Sequence, residues 1–252
     1  MRRWIGLVST VFGLVGCAKF PANGTSSDFT HLIFRFRLAA PIDPHYIYGV
    51  AIRPIMDGDP TSVDLDGHGP VPVIRVGSKN GYVEGWPTRF IQFDESVKPF
   101  YLVYRFPPRE VTTEDDNPRN LGAKELFSQA ADSNFIDPRP ISNDGVSYGK
   151  DLGFEITTRD LVDSEADAQK IRHIQFNILT MNKDALASTA DRVMDALGDP
   201  STFERGYTQR FVKASNTFTN TGSTIPERPD DTYPVNLPSV DIVDWSLEIR
   251  TP

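Results

Sequence analysis

Val243-Asp244-Trp245-Ser246-Leu247-Glu248-Ile249-Arg250 alternates apolar and polar side chains without a break. Neighbouring side chains of a strand point to opposite faces. This period of two therefore predicts Val243, Trp245, Leu247 and Ile249 on a buried face and Asp244, Ser246, Glu248 and Arg250 on a wet one. The pattern recurs outward from this stretch. Leu32, Phe34, Phe36 and Leu38 alternate with Ile33, Arg35 and Arg37. Tyr46, Tyr48, Val50 and Ile52 form a second set ended by Pro54, and Phe100, Leu102, Tyr104 and Phe106 a third ended by Pro107-Pro108. Leu152, Phe154 and Ile156, then Ile174, Phe176 and Ile178, add two more. Shorter candidates lie at 71–76, 89–93 and 207–213, with Asn80-Gly81 as a tight-turn signal between two of them.

Alternation with a single apolar face favours antiparallel sheets over parallel ones buried on both sides. About nine strands with few helices predict a mainly β fold, an antiparallel β-sandwich with one or two short helices in its connections. Helical spacing is read at two places. Over 184–197, Leu186, Ala190, Val193 and Leu197 share a face, with Gly198 as C-cap and Pro200 beyond. Over 120–131 the apolar set is Leu121, Leu126, Phe127 and Ala130. The stretches 109–120 and 215–238 read as long loops.

Few patterns carry chemistry. Gly145-Val146-Ser147-Tyr148-Gly149 matches G-x-S-x-G, but that serine needs a strand before it and a helix after it. Here turn-like residues precede it and the strand Leu152–Thr157 follows, so the reading is a loop and no catalytic residue is assigned. Asp57, Asp59, Asp64 and Asp66 form the densest acid cluster in a glycine-containing loop and are the candidate calcium ligands. An EF-hand started at Asp64 fails, because its twelfth position is Arg75. The alternative is that aspartate and glycine simply make turns here. The histidines His31, His45, His68 and His173 show no metal-binding spacing, and no nucleotide fingerprint is present. Trp86, in Glu84-Gly85-Trp86-Pro87, is the aromatic singled out as a ligand contact of the glycan-stacking kind. The tyrosines Tyr46, Tyr48, Tyr82, Tyr101 and Tyr207 lie on or near strands, where aromatics are usually core.

The start of the chain sets a compartment. Arg2 and Arg3 precede an uncharged, largely apolar run from Trp4 to Val15, too short to span a bilayer. Leu14-Val15-Gly16-Cys17 then resembles the lipobox of bacterial lipoproteins, in which the cysteine is acylated. Cys17 is the only cysteine of 252 residues, so it has no disulfide partner within the chain. The resemblance implies a signal peptide over 1–16, a lipidated Cys17 with a flexible tether over 17–28, and a single sandwich domain over 29–252. It also implies attachment to the membrane through acyl chains, which at about 0.8 kcal/mol per buried methylene anchor stably when two or more are present. Ala18 follows the cysteine, which favours the outer membrane where the source has two.

Removing residues 1–16 takes away two arginines and no acids, moving the formal charge from −8 to −10. Such a body is a poor partner for nucleic acid, whose affinity comes largely from cations on phosphates. It also repels anionic headgroups, leaving the lipid as the tether. Asp241-Ile242-Val243-Asp244-Trp245-Ser246, on an anchored sandwich, resembles extracytoplasmic modules of the carbohydrate-binding or DOMON kind, a likeness of architecture that carries no function. The expectation is a lipid-anchored, non-catalytic envelope module that binds a glycan or an envelope protein. Its only implied group is the covalent lipid, with calcium at the aspartate loop. The alternatives are a purely structural envelope lipoprotein and a secreted hydrolase.

Overall fold

The computed structural model describes residues 28–56, 70–72, 83–84, 88–93, 101–106, 125–129, 148–183, 193–198, 207–210, 216–222, 226–232 and 235–252. The strands are β1 (His31–Leu38), β2 (Tyr46–Met56), β3 (Val71–Pro72), β4 (Val83–Glu84), β5 (Arg89–Phe93), β6 (Tyr101–Arg105), β7 (Glu125–Gln129), β8 (Asp151–Thr157), β9 (Ile171–Asn182), β10 (Val193–Ala196), β11 (Tyr207–Arg210), β12 (Asn216–Thr219) and β13 (Ile242–Arg250). They form an antiparallel β-sandwich. The smaller sheet has the order β12-β13-β1-β8. The larger runs β10-β9-β2-β5-β6-β7, with β11 paired to β9 beyond the end of β10. β3 and β4 pair with each other in a two-stranded sheet.

The alternation in the sequence explains the core. Leu32, Phe34, Phe36 and Leu38 of β1 stand opposite Ile249, Leu247, Trp245 and Ile242 of β13, and all are buried. Facing them, the larger sheet contributes Val50, Ile52, Ile91, Val103, Phe176 and Ile178. The sheets interlock through aromatic rings. Phe34 lies 5.3 Å from Phe154 and 5.2 Å from Phe176, which meets Trp245 edge-on at 5.6 Å. Each such pair adds about 0.5–1.5 kcal/mol to the burial itself. The register slips between Arg37 and Leu38, where Leu38 faces Ile242. This bulge makes Val243 the extra residue, half-buried, and puts Ile242 in the core place expected for Val243.

Sequence periodicity misses some features of the larger sheet. Its second face is also covered. Ala51, Phe90, Leu179, Met181, Val193 and Ala196 form a second buried cluster with Val83 of β4 and Phe106. β2 and β9 are consequently buried nearly throughout. Gly49 is needed there, because a Cβ would stand 2.6 Å from both the Ile91 carbonyl oxygen and Phe90 Cζ. Pro54 does not end β2. It pairs with Ile174 of β9 beyond the last β5 partner, Ile52, where a missing N–H costs no ladder bond on that side.

Both predicted helices are corrected where the chain is described. Val193–Ala196 is an edge strand on β9, because Val193 and Ala196 bury against the second cluster and the backbone gains a partner strand. Glu125–Gln129 is the strand β7 on β6. The expected loop 215–238 contains β12. Among the described residues, the short helices are a 3₁₀ turn over Asn220–Gly222 and, in the crossover from β8 to β9, a 3₁₀ turn over Thr158–Leu161 and α1 (Glu165–Ala168), capped by Ser164 Oγ accepting the Asp167 N–H at 3.1 Å. Arg89 clasps this crossover to the larger sheet. Its buried guanidinium donates to the Asp160 carbonyl at 2.9 Å and pairs with Asp163 at 2.9 Å.

Candidate functional site

Among the described residues, a close group of acidic side chains lies where edge strand β10 meets the chain leading into β13. A bulge between Val193 and Asp195 places Asp195 opposite Thr180 of β9. Asp195 is fully buried and accepts the Ala196 N–H at 2.8 Å and the Ile242 N–H at 2.6 Å. One carboxylate therefore joins the edge of the larger sheet to the first residue of β13. Glu227 arrives from the preceding loop. It accepts the Gly198 N–H at 3.0 Å, while its own N–H donates to Asn220 Oδ1 at 2.6 Å. Gly198, expected as a helix cap, instead turns the chain out of β10 with φ 94°. Asp241, also buried, accepts the Asp230 N–H at 3.1 Å on each oxygen. Asp230 has φ 67°, a left-handed conformation that aspartate tolerates better than most residues. This turn delivers Asp231, whose carboxylate oxygens are buried.

Asp195, Glu227 and Asp231 each offer an oxygen within 4.8 Å of the others. Burial, followed by the neighbouring charges, makes ionisation costly. Glu227 is pushed up to about 11 by burial and by Asp195 and Asp231. Asp195 is raised well above the carboxylate range by burial, against the pull of the Ile242 N–H, and Asp231 and Asp241 push the same way. Burial raises Asp241 too. Like charges packed this closely in a dry setting cannot all ionise unaided. The arrangement has two chemical resolutions. Carboxyls keep protons and donate to carboxylates, or the three oxygens take part in an all-oxygen shell of the kind that hard cations such as calcium use. Either way, the cluster ties the 226–241 loop to both sheets.

A second polar constellation sits at the head of β2. The Asp43 carbonyl oxygen accepts the Tyr46 N–H at 3.0 Å and the Tyr48 hydroxyl at 3.1 Å. Tyr48 Oη in turn accepts the Asp43 N–H at 2.9 Å, and its one proton is shared between the Asp43 carbonyl oxygen and the nearer Ser239 carbonyl oxygen at 2.9 Å. The Asp43 carboxylate accepts the His45 N–H at 3.0 Å and lies 2.7 Å from His45 Nδ1. Partial burial works against the charge of Asp43, but the His45 contacts outweigh it and hold the carboxyl below its usual range.

Cys17, Trp86, Ser147 and the aspartates Asp57, Asp59, Asp64 and Asp66 lie outside the described residues. Of the histidines, His31 meets Glu155 at 2.5 Å, His45 meets Asp43, and His173 stands on β9 opposite Arg210. Tyr48 and Tyr101 are core residues, and Tyr46 packs against that core. The carboxylate cluster was not singled out by sequence reasoning. Its one local signal is Asp195, an acid inside the apolar run Val193-Met194-Asp195-Ala196-Leu197. No family model matches the chain, and no curated protein or solved structure matches it.

Proposed function

We propose that the chain is a lipid-anchored cell-envelope protein whose β-sandwich serves as a non-catalytic binding or assembly module on the outer side of a bacterial membrane. The observation that carries this is Leu14-Val15-Gly16-Cys17, the only cysteine standing where acylation would consume it. Two features support the module reading. The first described strand begins at His31, which leaves a short spacer after Cys17. An open cleft of about 320 Å³ lies beside Phe29, Ile171 and Arg172, at the lower end of the range for small-ligand sites.

Mass spectrometry of the processed N-terminus tests the anchor. Acylated Cys17 is expected, and Cys17→Ser should move the protein from the detergent phase to the aqueous phase. Release of unlipidated wild type cut elsewhere would overturn the anchor. A glycan array and an envelope pull-down with the processed chain test the module. A folded protein that captures neither class would leave the structural role in its place.

A further inference from the structure

We propose that the peptide bond between Asp43 and Pro44 is a self-cleavage site built by the turn at the head of β2. A simple turn over Pro44 needs two hydrogen bonds, Tyr46 N–H to the Asp43 carbonyl and His45 N–H to the Asp43 carboxylate. Two further groups are present. The Tyr48 hydroxyl reaches the same carbonyl oxygen at 3.1 Å, and the His45 ring lies on the same carboxylate at 2.7 Å. The bond therefore has its nucleophile in its own residue, the Tyr46 N–H on its carbonyl oxygen, a Tyr48 proton that can turn to that oxygen from the Ser239 carbonyl 2.9 Å away, and an exposed imidazole one residue beyond its nitrogen. Those are the parts intramolecular acyl transfer requires: proximity, stabilisation of the developing oxyanion and a proton for the leaving amine. Lys183 Nζ also reaches the turn, donating to the Pro44 carbonyl at 3.2 Å.

The step balances as follows. An Asp43 carboxylate oxygen bonds to the main-chain carbonyl carbon of the same residue, and the carbonyl electron pair moves onto oxygen, held by Tyr46 N–H and Tyr48 Oη. Collapse restores the carbonyl and breaks the bond to Pro44. The Pro44 nitrogen keeps that electron pair and takes a proton from the His45 imidazolium, leaving as a secondary amine. The five-membered cyclic anhydride on Asp43 then takes up one water and opens to two carboxyl groups. One peptide bond and one water are consumed, His45 is reprotonated from solvent, and nothing is oxidised or reduced.

The cut falls between β1 and β2. β1 would stay in place, since it pairs with β13 and β8 and buries Leu32, Phe34, Phe36 and Leu38. Where the anchor reading holds, the body from Pro44 onward would then hang from its lipid by strand pairing alone. The cleavage itself is independent of that reading.

The sequence supplies its own controls. Asp59-Pro60, Asp137-Pro138 and Asp199-Pro200 are Asp–Pro bonds too, and only Asp43-Pro44 is followed by histidine. The purified full chain is incubated in mildly acidic to neutral buffer and followed by intact mass and by denaturing gel. A new N-terminus at Pro44 should form on the order of tenfold faster than at the other three bonds, the effect of about one hydrogen bond to the reacting oxygen. Urea should erase that preference, and native gel filtration should keep the fragments together. Asp43→Asn should abolish the cut, and Tyr48→Phe and the exposed His45→Ala should each slow it. Cys17→Ser should leave the rate unchanged, which separates this result from the fate of the anchor. An intact chain, equal rates at all four bonds when folded, or wild-type rates in both H45A and Y48F would overturn the proposal.

Discussion

Replacing Glu227 with glutamine asks whether the carboxylate cluster keeps its protons. Glu227 is 5% exposed, and burial with the Asp195 and Asp231 charges pushes its carboxyl up to about 11 from 4.5. A carboxyl raised in the folded state gives its full stabilisation below the unfolded value and loses it as pH climbs toward the folded one. Over that window unfolding releases a proton, so alkali favours the unfolded chain. The slope is about 1.4 kcal/mol per pH unit per proton, or about 2.7 kcal/mol between roughly pH 5.5 and 7.5. Glutamine has no such proton. Its amide nitrogen cannot accept one of the N–H bonds that the Glu227 oxygens take from Gly198 and Arg228, a loss of about 1 kcal/mol at either pH. Wild type has already lost about 1.4 kcal/mol over the first unit above 4.5, so urea unfolding in EDTA should find the variant about as stable as wild type at the lower pH, and more stable by about 3 kcal/mol at the higher. A difference that is the same at both values refutes the reasoning, because Glu227 would then be ionised in the fold. Added calcium divides the two resolutions of the cluster. If the carboxylates hold the cation, it flattens the wild-type slope, and if they share protons it changes nothing.

Gly49→Ala should cost about 1–3 kcal/mol in chemical denaturation, because the added methyl meets the Ile91 carbonyl oxygen and the Phe90 ring at 2.6 Å. Phe176→Ala, which removes the ring between Phe34 and Trp245, should cost about 3–5 kcal/mol by the same measurement. Arg89→Met should lower the melting temperature well beyond Asp163→Asn. The arginine side chain is 5% exposed and the aspartate 73%, and an exposed partner of an ion pair is worth at most about 1 kcal/mol. Equal losses for those two variants would show that the exposed carboxylate, and not the Asp160 carbonyl, holds the clasp.

The strands that cover one core with one face were legible. β1, β8 and β13 follow their alternation closely, because water on one side and core on the other leave period two as the only pattern. The second apolar face of the larger sheet hid β10. Val193-Met194-Asp195-Ala196-Leu197 has apolar residues on both sides of the backbone, and such a run fits a helix face as well as a doubly buried strand. β7 was lost to the same ambiguity at Leu126-Phe127. The candidate site was illegible for a different reason. Asp195, Glu227 and Asp231 come from separate elements, and only the pairing of β10 with β9 and the turn at Asp230 bring them to one point. In a chain with 34 acids, nothing local marks Glu227 or Asp231, and only Asp195 stands out, as an acid in an apolar run.

The centre of the smaller sheet joins β1 to β13, so that Arg35 meets Glu248 across 213 residues of chain. Contacts of such long range must meet their loop-closure entropy before any pairing rewards it, and folds built on them form slowly. A nascent chain lacking β13 has no partner for β1 on that side, and β12 has nothing to pair with in its sheet. The smaller sheet can therefore be complete only after synthesis has reached Arg250. Until then the apolar faces of β1 and β8 depend on whatever keeps an unfolded chain from aggregating.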